Sequence, residues 1–180
     1  MGGSVRRRTS GDVSACLALL HAVHRTDGYP STVEDAAGFL VPPYEVASWV
    51  AVADGAVVGH AALHEPTDSA TVSVASRATG LPQDRHVLLS RLFVAPEARG
   101  AGLARSLLRT AVTEARRKGQ HAVLDVGQDF RAAVALYEAE GWSRVAADRQ
   151  AVGDEVFDVW VYVAPDAKRA EVPVATEDRR

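Results

Sequence analysis

Gly100 and Gly102 follow an apolar run over 88–94 and Pro96, and they precede an apolar-periodic stretch that opens at Leu103. A strand-forming run stopped by proline, a glycine turn and a helix start together make a corner where backbone N–H groups can surround an anion. The pattern Arg99-Gly100-Ala101-Gly102-Leu103-Ala104 lacks the third glycine and the spacing of the dinucleotide fingerprint. No Gly-Lys-Ser/Thr follows it, so it is not a Walker loop. On glycine spacing alone, a phosphate cradle and an ordinary strand-to-helix turn are equally open.

The segment from Val94 to Ala104 resembles the acetyl-CoA-binding motif of the GNAT superfamily of N-acetyltransferases, whose core reads Gln/Arg-x-x-Gly-x-Gly/Ala. Arg99, Gly102 and Ala104 fill that pattern. Downstream, Ala133-Val134-Ala135-Leu136-Tyr137 with Gly141-Trp142 is similar to the helix that the family writes as Ala-Ile-x-Leu-Tyr-x-x-x-Gly-Phe. Both motifs occur in order with strand patterns around them, and the likeness covers about residues 5–163.

The resemblance implies a site as well as a fold. Backbone N–H groups of Arg99, Gly100, Ala101, Gly102, Leu103 and Ala104 would hold the cofactor pyrophosphate, with the Arg99 side chain as a supplement. Phe93 and Val94 would offer main-chain groups to the pantetheine arm in an edge-like pairing. Tyr137 matches the family tyrosine beside the cofactor sulfur, where a phenol, protonated at neutral pH, can act as a general acid. The plain alternative for Tyr137 is a ring packed on an amphipathic helix. The chain departs from the family at two points: Ser90 stands where many members carry a glutamate base, and Phe130, beside Asp129, stands where many carry asparagine. Ser90 cannot serve as that base unaided, so the proton would leave through ordered water or through His60, His64, His86 or Asp125. His60 and His64 would share one face of a strand, but no third ligand accompanies them and no metal site is expected. Acceptor recognition is assigned to His24, Asp27, Tyr29 and Trp49. His21, Glu34, Asp35, Tyr44 and Glu45 are further candidates.

These residues need a mixed α/β frame. The pattern predicts a strand over 5–8 and a helix from a cap at Asp12 to His24, with Val13, Cys16, Leu17, Leu20 and Val23 on one stripe. A short helix capped by Ser31 or Thr32 then runs to Pro42-Pro43. Strands over 48–53 and 56–63 flank Asp54-Gly55, a hairpin signal. Residues 65–85 are less legible: 71–75 reads as strand, whereas Pro66, Gly80 and Pro82 argue for an excursion. Strand 88–94, helix 102–118 and strand 122–126 follow, then helix 131–140 and strands 142–147 and 156–164. The expected fold is a GNAT-like α/β domain over 1–164, with a mixed, mostly antiparallel sheet flanked by helices. Its cofactor cleft requires the parallel strands 88–94 and 122–126 to splay. Residues 165–180 read as a charged tail.

Composition narrows the function without choosing it. At 180 residues the chain suits one domain with a sizeable core, and 47% hydrophobic content is ordinary. A net charge of -3 gives no bulk attraction to nucleic acid or anionic membrane, and Arg6-Arg7-Arg8 is too short to change that. Neither a membrane span nor a secretory signal is indicated. With one cysteine, Cys16, an intramolecular disulfide is impossible and a reducing cytoplasm is expected. The expected activity is direct acetyl transfer from acetyl-CoA to the amine of a small molecule or peptide. A non-catalytic acyl-CoA-binding domain is the alternative, and a homodimer through exposed strands is compatible with either.

Overall fold

The computed structural model describes residues 3–66, 69–152 and 155–165. The expected tail over 165–180 lies, past Pro165, outside the described residues.

The chain enters as β1 (Ser4–Arg7), followed by α1 (Val13–Asp27) and α2 (Ala36–Leu40). A short turn at Ser10–Asp12 precedes α1, and the Asp12 carboxylate closes it by accepting from the Thr9 N–H at 2.7 Å and from both Arg6 guanidinium arms. Those bonds hold the Asp12 carboxyl far below the usual carboxylate range, with the Arg6 hydrogen bond the largest cause. Helix α1 runs one turn beyond the expected end and stops at Gly28, whose φ of 69° suits a glycine cap. Its buried stripe is Cys16, Leu19, Leu20 and Val23, rotated slightly from the expected one. The cap of α2 is Asp35, which accepts from the Gly38 N–H at 2.9 Å, rather than Ser31 or Thr32.

Strands β2 (Glu45–Ala53) and β3 (Ala56–His64) turn at Asp54 and Gly55, both at positive φ as a two-residue hairpin of this hand requires. The stretch expected as strand over 71–75 is instead inside α3 (Ala70–Thr79). Its β-branched residues favour extended backbone locally, but the Ser69 side chain caps the Val72 N–H at 3.2 Å. Val72 and Ala75 are then buried against Val123, Val161 and Val163, so packing overrides propensity.

After β4 (His86–Val94) come α4 (Leu103–Arg117), β5 (His121–Gly127) and α5 (Arg131–Ala139). The chain closes with β6 (Ser143–Val152), longer than expected, and β7 (Glu155–Val163). The strand order is β1-β2-β3-β4-β5-β7-β6, and every adjacent pair is antiparallel except β4 with β5. This is the mixed, mostly antiparallel α/β arrangement that the sequence implies. Alternation along the strands divides the core. Leu89 and Leu124 face α4 and α5, whose Leu103, Leu107, Leu108 and Tyr137 join them. Val50 and Phe93 face α1 and α2, while Val123 faces α3 on the same side.

Candidate active site

The parallel pair β4 and β5 is bonded only over His86↔His121, Val87↔Ala122 and Leu88↔Val123. Beyond that point the strands part. On the other edge of β4, His60 pairs with Phe93 and Ala62 with Ser90, so Ala61 alone faces both Arg91 and Leu92. That bulge puts Arg91 at φ 53°, the left-handed region that a non-glycine residue enters at a cost. A bulge bends its strand, and this one follows directly on the point where β4 and β5 cease to pair. The gap is a cleft of about 900 Å³.

The glycine turn borders this cleft. Gly100 and Gly102 have φ of 82° and 76°, and a Cβ on either would meet nothing within 4 Å, so it is the backbone turn and not crowding that calls for glycine. Gly102 caps α4 without any side-chain cap, leaving first-turn N–H groups toward the cleft. Gly100, Gly102, Leu103 and Ala104 line the cleft, and so do Phe93 and Val94. Ala101 does not line it and is exposed. Arg99 lines the cleft too, but its guanidinium is ion-paired with Asp27 at the end of α1 and ties the turn to that helix.

Tyr137 lines the cleft from α5 and is 6% exposed. Its ring packs on Trp142 and Tyr162, with centroids 5.8 and 6.0 Å away. Packing and an active hydroxyl are compatible here. The Tyr137 Oη makes no hydrogen bond among the described residues, yet it is not sealed from solvent. Burial first, then Tyr29 and Asp125, push its pKa well above the ordinary phenol value, so it stays protonated throughout the neutral range.

Four candidates for a base are sorted by the structure. Asp125 alone of them lines the cleft. Its Oδ2 accepts from Thr71 Oγ1 at 2.7 Å, Thr71 Oγ1 in turn accepts from Gln150 Nε2 at 2.8 Å, and Oδ1 is left open. His60 is wholly buried and is spent on the carbonyl oxygen of Arg91, 3.0 Å from Nδ1. His64 Nδ1 lies 2.7 Å from Ser90 Oγ, and burial first, then the Arg91 charge, depress its pKa to about 3, which makes it a poor base. His86 lies at the bonded start of β4, 3.2 Å from Thr79 Oγ1. Among the described residues no group of three metal-ligating side chains occurs.

The acceptor candidates divide as well. Asp27 and Tyr29 line the cleft. The Tyr29 ring meets Phe39 at 6.2 Å and Phe130 at 6.1 Å, edge to face, so an aromatic row spans from α2 through the α1–α2 connection to the start of α5. Phe130 needs Gly127 beneath it, since a Cβ there would come within 2.9 Å of its ring. Burial, the main cause, raises the Tyr29 pKa to about 12, with Arg91 opposing and Asp125 reinforcing the shift. Two expectations are corrected. His24 turns to the loop and bonds Pro30 O at 2.6 Å, outside the cleft. Trp49 is 4% exposed in the core on the α4 side, capped by the Arg7 guanidinium 4.6 Å from its ring, because its position in β2 points it to that face.

Arg91 in the cleft and Thr71 behind Asp125 are the features that the sequence pattern did not indicate. The signal for Arg91 was a charged residue inside an otherwise apolar run. Thr71 had no signal, since its helix was read as strand.

Several solved structures share this fold. The ribosomal-protein-S18-alanine N-acetyltransferase from Escherichia coli is 18% identical, with a TM-score of 0.67 over 96% of this chain and 99% of that one. The yncA protein from Salmonella typhimurium, solved with its cofactor acetyl-CoA, is 22% identical at TM-score 0.67, covering 92% and 95%. Arabidopsis thaliana NAA60 in complex with acetyl-CoA is 19% identical at TM-score 0.68, covering 90% and 97%. Comparison with curated protein sequences gave no match. Residues 18–142, which carry the glycine turn, the splayed strands and the Tyr137 helix, match the Acetyltransferase (GNAT) family, and the chain belongs to that family.

Proposed function

We propose that this protein binds acetyl-CoA in the cleft between β4 and β5 and transfers its acetyl group directly to an amine. The observation that carries the reading is the parting of β4 from β5 after Leu88 and Val123, in front of an α4 N-terminus whose turn leaves its N–H groups unspent. The residues present fit the cofactor. The turn over 99–104 is an anion cradle, the unpaired edge of β4 beyond Leu88 offers main-chain groups to an extended arm, and Arg131 adds positive charge at the same mouth. Bound there, acetyl-CoA supplies an acetyl thioester open to attack by an amine.

The chain's own residues then divide the proton work. Asp125 receives the ammonium and takes a proton from it at Oδ1, because only a neutral nitrogen attacks. Thr71 keeps Oδ2 occupied and fixes the carboxylate. Tyr137 keeps its phenolic proton at neutral pH and is the acid available to the leaving sulfur. Tyr29 and Phe130 give the cleft an aromatic wall on the acceptor side. Cys16 is no nucleophile in this reading: burial, the main cause, pushes its thiol up to about 11, and it is wholly buried on the inner face of α1.

Calorimetric titration of acetyl-CoA, followed by assay of CoA release across primary amines, tests the proposal. Saturable binding at one site with acceptor-dependent release supports it. Binding without release for any amine supports the non-catalytic alternative, and no binding removes both.

A further inference from the structure

Arg91 carries a permanent positive charge and is 8% exposed, and among the described residues no carboxylate lies within ion-pairing distance of it. A buried cation without a counter-ion is costly. Its partners are all neutral. Nε donates to the Phe39 carbonyl oxygen, Nη1 reaches His64 Nδ1 at 2.5 Å and Ser90 Oγ at 3.1 Å, and the guanidinium carbon stands 4.5 Å from the Phe39 ring centre. Such contacts orient the group without neutralising it. Nη2 makes no hydrogen bond among the described residues and is not sealed from solvent.

The residue also lines the cleft, next to Ser90. Tyr29 and Asp125 line the same cleft, so a cation and a carboxylate face one cavity. We propose that Arg91 docks an oxyanion carried by the acceptor itself, which is therefore a small amine bearing a carboxylate, of the α-amino acid type, with its ammonium toward Asp125. A peptide N-terminus has no carboxylate beside its amine, and a polyamine has none at all. Because the cation is buried, the anion must enter the cleft, which favours a small acceptor over a chain crossing the surface. This inference rests on the acetyl-transfer reading of the same cleft.

The test compares each standard L-amino acid with its α-amide, its decarboxylated amine and, where one exists, its aminophosphonate analogue. Binding to the protein is measured by calorimetry and acetylation by kcat/KM, in wild type, Arg91→Gln and Arg91→Lys. The expected result is at least one amino acid preferred over its amide and amine by roughly thirty-fold or more, the low end for a buried charge pair. The preference should appear in calorimetric affinity and in KM. Arg91→Gln should collapse that ratio while still binding acetyl-CoA, and Arg91→Lys should restore part of it. A preference for the phosphonates would keep the oxyanion and change its source. If amines are acetylated equally well with and without the carboxylate in wild type, the inference fails while acetyl transfer stands, whether or not the variants fold. A preference that survives in folded Arg91→Gln also overturns it. If acetyl-CoA does not bind at all, acetyl transfer itself fails.

Discussion

Thr71 donates a 2.7 Å hydrogen bond to Asp125 Oδ2 and links α3 to the cleft edge of β5. The same hydroxyl accepts from Gln150 on β6. Thr71→Val removes both bonds and leaves a part-buried amide without its partner, an expected stability loss of ~1–3 kcal/mol. Turnover should fall roughly three- to ten-fold with acetyl-CoA affinity unchanged, and Thr71→Ser should recover it. Asp125→Asn should cost about 100-fold or more in turnover, the scale of a lost general base. Thermal melts and steady-state kinetics on the three variants check these values. An Asp125→Asn enzyme with full turnover would remove Asp125 from the proton path.

Tyr137→Phe removes one hydroxyl and keeps the ring against Trp142 and Tyr162. Folding and acetyl-CoA affinity should stay within a few-fold, while turnover falls about ten-fold or more. Because the phenol's pKa is raised, no loss of rate from its ionisation should appear below pH 10 in the wild-type profile. Full turnover in the variant, measured where chemistry limits the rate, would show that the acid is another group.

His60 and His64 make stability fall on the acid side. Both are buried and neutral in the fold, with pKa values lowered to about 4 and about 3 from 6.5, burial being the main cause in each. The unfolded chain takes up protons at these sites first as the pH drops, so folding stability is complete above about pH 6.5 and declines as the pH falls toward the folded values. The slope is ~1.4 kcal/mol per pH unit for each additional proton bound by the unfolded chain. Urea unfolding between pH 7.5 and 4.5 measures it. His60→Gln should flatten the decline, and an unchanged slope would contradict the assignment.

Gly102→Glu adds a side chain and a negative charge where φ is 76° at the start of α4. Acetyl-CoA affinity should fall by about 100-fold or more, since the charge opposes the anion that the helix end attracts. Gly102→Ala, strained but uncharged, should lose less. Normal cofactor affinity in folded Gly102→Glu would place the phosphates elsewhere.

The legible parts of the molecule were those whose signal is local. The stripe from Leu103 to Ala115 repeats at helical spacing, and Asp54-Gly55 dictates its own turn, so α4 and the β2–β3 hairpin followed from neighbours in sequence. Helix α3 did not, because Val72 and Val74 favour strand until Val123 and Val161 bury one face. The conformation of Arg91 depends on His60 and His64, 31 and 27 positions away, and no window of sequence contains them together. Trp49 shows the limit of alternation: period two tells which residues share a face, but not whether that face meets α4 or the cleft.

The most direct measurement follows acetyl-CoA and a mixed pool of amino acids, other primary amines and peptides with free N-termini with the purified protein, reading released CoA and N-acetylated products by mass in one quenched time course. The expected result is N-acetylated product formed in equal amount to CoA, lost in Gly102→Glu and slowed in Tyr137→Phe. Release of CoA without any acetylated amine, or product formation undiminished in Gly102→Glu, would contradict acetyl transfer at this cleft.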